Sequence, residues 1–222
     1  MFSGVFSASI LGRAQKEKII NISYYNPRDF ASDKHKTVDD RPYGGGAGML
    51  LMIEPIELAI KKAKADLSSK AKVVYLSPKG NLFSQNKAKK LSQAENLILL
   101  CGRYEGIDAR IEDNLVDEIV SIGDYVLSGG EVPAMVVVDS LVRLLPGVLK
   151  KEEATEVESL REVTLNDKTV RFLEPPQYTR PEDYKGKKVP EILLSGNHAE
   201  IEKWRLEKSI EETKKHRPDL LE

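Results

Sequence analysis

The residues with the clearest potential for binding chemistry form an eleven-residue loop at positions 121–131, with the sequence SIGDYVLSGGE. Its glycines and serines follow an apolar run and precede a second apolar run. Because glycine tolerates unusual dihedral angles and close approach, such a loop can present bare backbone N–H and C=O groups to a flat ligand. A glycine-capped turn needs fewer residues, so the length favours a binding loop.

The chain alternates predicted strands with predicted helices. Short apolar runs predict strands at residues 18–25, 72–76, 96–101 and 118–122, and helical spacing of apolar residues predicts helices at 55–67, 84–94, 107–115 and 132–145. Ser84 is a suitable N-cap for the second of these helices. This alternation predicts an α/β fold with a parallel sheet, in which residues 96–101 form a buried strand.

Three loops rich in glycine, serine and proline leave the ends of the last three predicted strands. They comprise residues 76–80, 102–106 and 121–131. Ligands of parallel α/β sheets bind at the carboxyl ends of the strands. We therefore expect the three loops to form one site.

The composition changes after Leu149. Residues 1–149 form the predicted first domain, residues 150–158 are charged and predict a linker, and residues 159–222 form a small, mainly helical second domain. Within the second domain we expect a hairpin at residues 161–173, turning at Asn166 and Asp167, and an amphipathic helix at residues 199–215.

The overall charge and cysteine content limit the function classes. The chain has 222 residues, a formal net charge of −1 and a single cysteine, Cys101, which excludes an internal disulfide framework. We find no signal peptide and no apolar run long enough to span a membrane, and we expect a cytoplasmic location. Because the net charge is −1, nucleic-acid binding would need a local patch of basic residues. Each short basic group, such as Lys185 with Lys187 and Lys188, is interpreted as a solvent-exposed face.

Five segments closely resemble the bacterial tRNA (guanine-N1)-methyltransferases. They are DDRPYGGGAGM at residues 39–49, LSP at 76–78, CGRYEGID at 101–108, residues 121–133, and LSGNH at 194–198. The resemblance extends over nearly the whole chain. It implies a SPOUT-class α/β domain with a deep trefoil knot, and an obligate homodimer with both active sites at the interface.

The resemblance also implies a reaction. The substrate is tRNA, methylated at N1 of the guanosine 3′ of the anticodon (position 37) and preceded by another guanosine. The methyl donor is S-adenosylmethionine, bound in a bent form by the knot loops. The family also uses Mg²⁺ in methyl transfer, yet the sequence defines no carboxylate cage for the ion, and no Cys/His cluster predicts a metal site.

By resemblance, the donor site is built from the three loops, with backbone groups of residues 121–130 on the adenine edge and Glu105 near the sulfonium. The implied donor-binding residues are Tyr75, Leu76, Ser77, Pro78, Gly80, Gly102, Tyr104, Glu105, Ser121, Ile122, Gly123, Tyr125, Val126, Leu127, Gly129, Gly130 and Pro133.

Guanine N1 carries a proton at neutral pH, so the reaction needs a base and a cation that stabilises negative charge on O6. Arg143 interrupts an apolar helix, which indicates either a catalytic cation or a snorkelling arginine, and the resemblance favours catalysis. Glu158 aligns with the aspartate of the family and is the candidate base. Glu156 and Glu153 are alternatives, and a solvated acidic linker is the structural alternative.

The resemblance places tRNA recognition in two segments. The residues concerned are Asp39, Arg41, Ser195, Gly196, His198 and Trp204. Trp204 is interpreted either as a base-stacking residue or as the hydrophobic anchor of its helix. The glycine run at residues 44–48 lacks the Lys-Ser/Thr pair of a P-loop, which argues against a nucleotide hydrolase.

Two other functions stay open on the sequence: a SPOUT methyltransferase acting on another RNA, and a non-catalytic RNA-binding or cofactor-binding module. The resemblance also implies a further strand ahead of Met1, and we expect the chain to be less stable without that strand.

Overall fold

The structure is a computed structural model and describes residues 1–67, 69–149, 158–165 and 168–221. The chain divides into two compact units, Met1–Lys150 and Lys151–Glu222. Among the described residues, no helix is long and apolar enough to cross a membrane.

The first unit combines a parallel sheet with helices. Its helices are α1 (Phe2–Phe6), α2 (Ser9–Lys16), α3 (Ile53–Ala65), α4 (Gln85–Leu91), α5 (Ala109–Leu115) and α6 (Glu131–Val142), with a 3₁₀ turn at Pro27–Phe30. Its strands are β1 (Asp39–Asp40), β2 (Leu50–Leu51), β3 (Lys72–Leu82), β4 (Leu97–Cys101) and β5 (Glu118–Ser121).

Strands β4, β3 and β5 form a three-stranded parallel sheet in that spatial order. In the central strand β3, Val74 pairs with Leu99 of β4 and with Glu118 of β5. The predicted α/β class with a parallel sheet is therefore confirmed. Since the strands are parallel, their carboxyl ends lie at one edge of the sheet.

Alternation of side chains along β3 gives the sheet two apolar faces. On one face Val73 and Tyr75 pack in a buried cluster with α3 and α5 residues such as Ile56 and Ile111. On the other face Val74 and Leu76 pack in a second cluster with residues of α4 and α6. The helices thus hold the sheet from both sides and fix the positions of the strand ends.

The predicted loop at residues 76–80 is wrong in its local structure, because β3 continues to Leu82. Val120 of β5 is paired with Leu76 and, after a register shift, with Asn81. Residues 77–80 form the irregular part of this strand. The predicted helix start at Ser84 is confirmed, since the Ser84 hydroxyl accepts a hydrogen bond from the Lys87 N–H at 3.3 Å.

The predicted strand at residues 18–25 is also wrong. The N–H groups of Ile19 and Ile20 donate to the Ala14 carbonyl at 2.9 and 3.3 Å, where they close the end of α2. Lys18 adopts a positive φ of 59° at this point. These N–H groups are therefore unavailable to a β-ladder, and the isoleucines pack instead against the α1–α2 region as irregular chain.

Strand β4 is correctly predicted as parallel, but it lies at an edge of the sheet. Only Leu100 is buried, and the other residues of β4 are partly exposed. A continuous apolar run does not distinguish a central strand from an edge strand, which explains the error.

The second unit contains two antiparallel strand pairs and a long helix. The pairs are β6 (Arg161–Leu165) with β7 (Lys168–Phe172) and β8 (Asp183–Tyr184) with β9 (Lys187–Lys188). Helices α7 (Glu191–Leu194) and α8 (His198–His216) follow, with a 3₁₀ turn at Pro218–Leu221. The β6–β7 hairpin confirms the predicted pairing, while its predicted turn at Asn166 and Asp167 lies outside the described residues.

A half-buried ion-pair cluster links the strands of the sheet to α4. Glu118, whose side chain is 13% exposed, accepts a hydrogen bond from Lys72 at 2.6 Å and another from Lys87. Burial alone would raise the pKa of Glu118, but the hydrogen bonds from Lys72 and Lys87 outweigh burial and lower the pKa.

We predict that Glu118→Gln lowers the unfolding free energy at pH 7 by about 1–2 kcal/mol, because two ammonium groups lose their shared counter-charge. Since the folded-state pKa of Glu118 is lowered, this stabilisation is fully present above the ordinary glutamate pKa of about 4.3 and is lost as the pH falls through the folded-state pKa. Urea unfolding of the wild type and the variant between pH 7 and pH 3.5 measures the difference.

Glu57→Gln is the control, since Glu57 pairs with Lys61 at the surface of α3. A difference for Glu118→Gln that stays constant down to the lowest pH would contradict the prediction.

Candidate functional site

Two of the three predicted loops contact each other directly at the carboxyl edge of the sheet. The Gly130 N–H donates to the Gly102 carbonyl at 2.8 Å, and Arg103 and Gly129 form an isolated antiparallel bridge. The loop after β5 is thus paired with the loop after β4. The order of the strands therefore brings two of the three predicted loops together, those at residues 102–106 and 121–131.

Close packing explains why glycine occupies several of these positions. A Cβ atom on Gly130 would lie 2.6 Å from the Cα of Cys101, and a Cβ on Gly102 would lie 3.0 Å from the Tyr75 hydroxyl. A Cβ on Gly80 would lie 2.4 Å from the backbone of Ile119. At Gly130 and Gly80 a larger residue would force two backbones apart, whereas at Gly102 it would press on the Tyr75 side chain.

A charged pair, Arg103 with Glu131, joins the same two loops. The Arg103 Nε donates to the Glu131 carboxylate at 2.7 Å, and the two side chains are 40% and 19% exposed. Gly129 lies beneath this pair, since a Cβ there would be 2.6 Å from the carboxylate of Glu131 and 2.9 Å from the side chain of Arg103. We call Arg103 and Glu131 the loop clasp.

The loop clasp was missed by the sequence analysis. Both residues lie within the quoted motifs, yet they are 28 positions apart in the chain. The sequence shows only that two residues of opposite charge lie in neighbouring predicted loops. Many residues that form no ion pair meet the same description.

The loop after β5 is ordered by its own polar groups. The Ser121 hydroxyl donates to the Gly123 carbonyl at 3.0 Å and accepts from the Gly123 N–H at 3.2 Å. The Tyr125 hydroxyl donates to the Ile122 carbonyl at 3.3 Å. These bonds set the turn, so that a ligand would meet a loop whose backbone is already arranged.

Apolar side chains in the same loops are exposed to solvent. Val126 is 86% exposed, Tyr104 54%, Tyr125 53% and Leu127 40%. In the strand before these loops, Tyr75 and Ser77 are buried at 3% and 8% exposure. The loops therefore expose apolar side chains next to a buried strand, and such side chains can cover the faces of a flat ligand.

Burial also shifts the pKa values of two groups in β3 and β4, Tyr75 and Cys101. Desolvation raises the pKa of Tyr75 above its ordinary value, and the Ser77 hydrogen bond opposes this increase. Desolvation, reinforced by the Glu131 charge, raises the pKa of Cys101 to about 12. The Cys101 thiol is therefore neutral at physiological pH and cannot act as a thiolate nucleophile.

The β1–β2 hairpin joins this site from the side. The Leu51 N–H donates to the Gly106 carbonyl at 3.0 Å, and the Glu105 N–H donates to the Met49 carbonyl at 3.1 Å. Gly48, with a φ of +83°, lies against Glu105 so closely that a Cβ would be 2.4 Å from that side chain. The structure thus brings Gly48, at the end of the glycine-rich segment, against Glu105, a predicted donor-binding residue.

Of the predicted tRNA-binding residues in the first unit, Asp39 and Arg41 flank the start of this hairpin. The Asp39 carboxylate lies 3.7 Å from the guanidinium of Arg28, and the Arg41 N–H donates to the Asp40 carboxylate at 2.7 Å. Arg41 is exposed and Asp39 is half-buried.

Arg143, one of the two predicted catalytic residues, is not brought to the loop clasp within one chain. Arg143 follows the last residue of α6, whereas the loop clasp lies at its first residue. At about 1.5 Å per residue, the two ends of α6 are separated by roughly 18 Å. Glu158 is half-buried and belongs to the second unit.

The remaining predicted tRNA-binding residues lie at the start of α8. The Ser195 hydroxyl donates to the Ile192 carbonyl at 2.8 Å, Gly196 has a φ of +72°, and His198 is the exposed first residue of the helix. The Trp204 ring is partly buried, with its centroid 6.5 Å from that of Tyr178. This contact is compatible with either predicted role of Trp204.

Within the described ranges, no group of three or more His, Cys, Asp or Glu side chains could hold a metal ion. The carboxylates at the contacts described above are Glu131, which pairs with Arg103, and Glu105, which lies against Gly48. A Mg²⁺ ion would therefore need water or substrate oxygens for most of its ligands.

Comparison with known proteins identifies the family. Residues 1–222 match the family described as tRNA (Guanine-1)-methyltransferase TrmD. The tRNA (guanine-N(1)-)-methyltransferase of Ruminiclostridium cellulolyticum is 52% identical over 220 residues, which cover 99% of this chain and 91% of that protein. The proteins of the same name from Pasteurella multocida and Shewanella sediminis are each 51% identical over 222 residues, covering 100% of this chain and 87% and 88% of those proteins.

These matches cover the glycine-rich hairpin and the paired loops of the first unit, and the start of α8 in the second unit. With the whole chain matched and more than half of its residues shared with such relatives, the chain belongs to the tRNA (guanine-N1)-methyltransferase family.

Proposed function

We propose that this chain methylates N1 of the guanosine at position 37 of tRNA, with S-adenosylmethionine as the methyl donor. Membership of the family supports the reaction, and the hydrogen bond between Gly130 and Gly102 is the observation that carries the site. That bond joins the two glycine-rich loops that follow β4 and β5.

The residues at the strand exits fit such a donor. The loop at 121–130 supplies backbone N–H and C=O groups for the adenine edge, and exposed Leu127 and Val126 supply apolar surface for its faces. The Glu105 carboxylate would attract a sulfonium through its negative charge. When bound, the donor supplies an already activated methyl group, so the protein needs no nucleophile of its own. The high pKa of Cys101 agrees with this.

The chain must then make the guanine nucleophilic. We assign Glu158 as the base that accepts the N1 proton and Arg143 as the cation that stabilises the charge developing on O6. Proton removal and charge stabilisation are coupled, because the lone pair freed at N1 is delocalised onto O6. Neither residue needs a metal ion for these roles. Mg²⁺ is kept as an expected cofactor of the family, and we derive no step through it.

We propose that the active site is completed by a second copy of the chain. Arg143 lies at the opposite end of α6 from the loop clasp, roughly 18 Å away along the helix axis. Helix α6 is apolar on nearly all sides, yet Val132 and Val136 on one face are 47% and 42% exposed. A homodimer that covers this face can bring Arg143 of one copy to the loops of the other.

We further propose that the first unit has the SPOUT fold with its trefoil knot. The support is local: Val120 pairs with β3 both before and after residues 77–80, and Gly80 lies against the backbone of β5 without room for a side chain. The second unit is the proposed tRNA-binding domain, through Ser195, Gly196, His198 and Trp204. Together with Asp39 and Arg41, these residues would position the anticodon region. Enzymes that modify tRNA act where tRNA is present, which supports a cytoplasmic location.

The first prediction concerns the reaction itself. We expect labelled methyl to pass from S-adenosylmethionine to a tRNA transcript with guanosines at positions 36 and 37, and we expect no labelling when guanosine 37 is replaced by adenosine. Undiminished labelling after that replacement would indicate another RNA target. Binding of both ligands without any labelling would indicate a non-catalytic module.

The second prediction concerns the loop clasp. We expect Arg103→Gln and Glu131→Gln each to weaken S-adenosylmethionine binding by roughly 2- to 10-fold, since either change removes the side-chain link between the two loops. The double variant should be no weaker than the worse single variant, because the pair acts as one unit. Calorimetric titration measures the affinities. Arg205→Gln, which breaks a surface pair with Glu202 at 2.6 Å, is the matched control. Additive losses would show that the residues act separately.

The third prediction concerns the shared active site. Arg143→Ala and Gly130→Ala should each be inactive, the first through loss of the cation and the second through the clash with Cys101. Co-expressed with different affinity tags, the two variants should form mixed dimers that combine intact loops with an intact arginine. We expect roughly a quarter of wild-type activity from a statistical mixture. Gly4→Ala is the control, since no atom lies within 4 Å of the added Cβ. If the mixed dimers are purified and prove inactive, the active site is not made by two copies.

A further inference from the structure

A short, charged hairpin in the second unit has no role in the site described above. It consists of β8 and β9 joined by the two-residue turn of Lys185 and Gly186. The sequence analysis interpreted its lysines as a solvated face. The structure gives them a more specific arrangement.

The hairpin is held in one conformation. Lys185 and Gly186 have φ values of 54° and 82°, as required by a type I′ turn. The Gly186 N–H donates to the Asp183 carboxylate at 2.7 Å, and the Val189 N–H donates to the Glu182 carbonyl at 2.8 Å beyond the strand pair. A positive φ at lysine is unfavourable, so this turn needs the support of its neighbours.

One face of the hairpin combines an aromatic ring with two cations. Tyr184 is directly paired with Lys187, which places both side chains on the same face. The Lys185 ammonium lies 5.4 Å from the centroid of the Tyr184 ring, and that ring is 59% exposed. We call these three residues the hairpin patch.

In the described part of the chain, the ammonium groups of Lys185 and Lys187 form no ion pair within 4.0 Å, and the nearby Asp183 carboxylate accepts the Gly186 N–H. On a chain whose net charge is −1, this is a local feature. An exposed tyrosine ring with Lys185 over it and Lys187 beside it matches the chemistry of RNA, whose unstacked bases and phosphates lie side by side.

We propose that the hairpin patch binds RNA, with Tyr184 stacking on an exposed base and Lys185 and Lys187 contacting the adjoining phosphates. The inference rests on the proposed function, since it assigns the RNA to the tRNA substrate and adds a contact outside the segment at the start of α8. An acidic polypeptide would use the lysines but would gain little from the ring.

The test measures binding of the wild type and variants to the tRNA transcript across a range of salt concentrations, by fluorescence anisotropy. Lys185→Gln with Lys187→Gln should weaken binding and reduce the slope of log K against log salt by about 1–2, because each lost phosphate contact removes close to one released counterion. Lys89→Gln with Lys90→Gln removes the same charge from an exposed pair in the last turn of α4 and should leave the slope unchanged. Replacing Lys185 and Lys187 by arginine should preserve both the affinity and the slope.

The ring is tested separately. Tyr184→Ala should weaken tRNA binding at least about fivefold without changing the salt slope, whereas Tyr184→Phe should bind like the wild type. Affinity for S-adenosylmethionine should be the same in all these variants, and circular dichroism melts confirm that each is folded.

The outcomes separate this inference from the proposed function. If the wild type neither binds nor methylates tRNA, the proposed function fails. If the wild type does both, and the lysine and Tyr184→Ala variants match the Lys89/Lys90 control, the hairpin patch does not bind RNA. Weakened binding to an acidic polypeptide with unchanged binding to tRNA would equally overturn the inference.

Discussion

The site depends on the constraint that parallel strands end at the same edge of a sheet. Strands β4, β3 and β5 are adjacent, so their exits cannot lie far apart. The hydrogen bond from Gly130 to Gly102 converts this proximity into one surface, because it joins the loops at 2.8 Å. The loop clasp and the glycine contacts act on the same junction. A change that separates these two backbones would remove the site without touching the core clusters beneath the sheet.

The sequence predicted the sheet class and the meeting of the loops because both follow from strand order and turn composition. The strand predicted at residues 18–25 does not form, although the residues are apolar as expected. The N–H groups of Ile19 and Ile20 instead donate to a carbonyl at the end of α2. The sequence analysis also placed β4 in the interior, since an apolar run does not reveal how many neighbours a strand has. The pairing of Arg103 with Glu131 required the fold, because nothing in their spacing marks them as partners.

Helix α6 connects the fold to the proposed chemistry. Its first residue belongs to the loop clasp, and Arg143 directly follows its last residue. Since a helix is rigid over three turns, one chain cannot bring both ends to the same small ligand. The exposed valines on its side give a physical reason for a second copy to approach there. Donor binding and acceptor activation would then be supplied by different copies, which makes catalysis conditional on assembly.

The most direct test of this account is a crystal structure of the protein with S-adenosylmethionine bound. The account predicts that the adenine contacts backbone groups of residues 121–130, that the ligand touches the exits of β3 and β4, and that the Gly130–Gly102 hydrogen bond is retained. A well-defined ligand bound away from these strand exits, or bound there with the two loops separated, would contradict it.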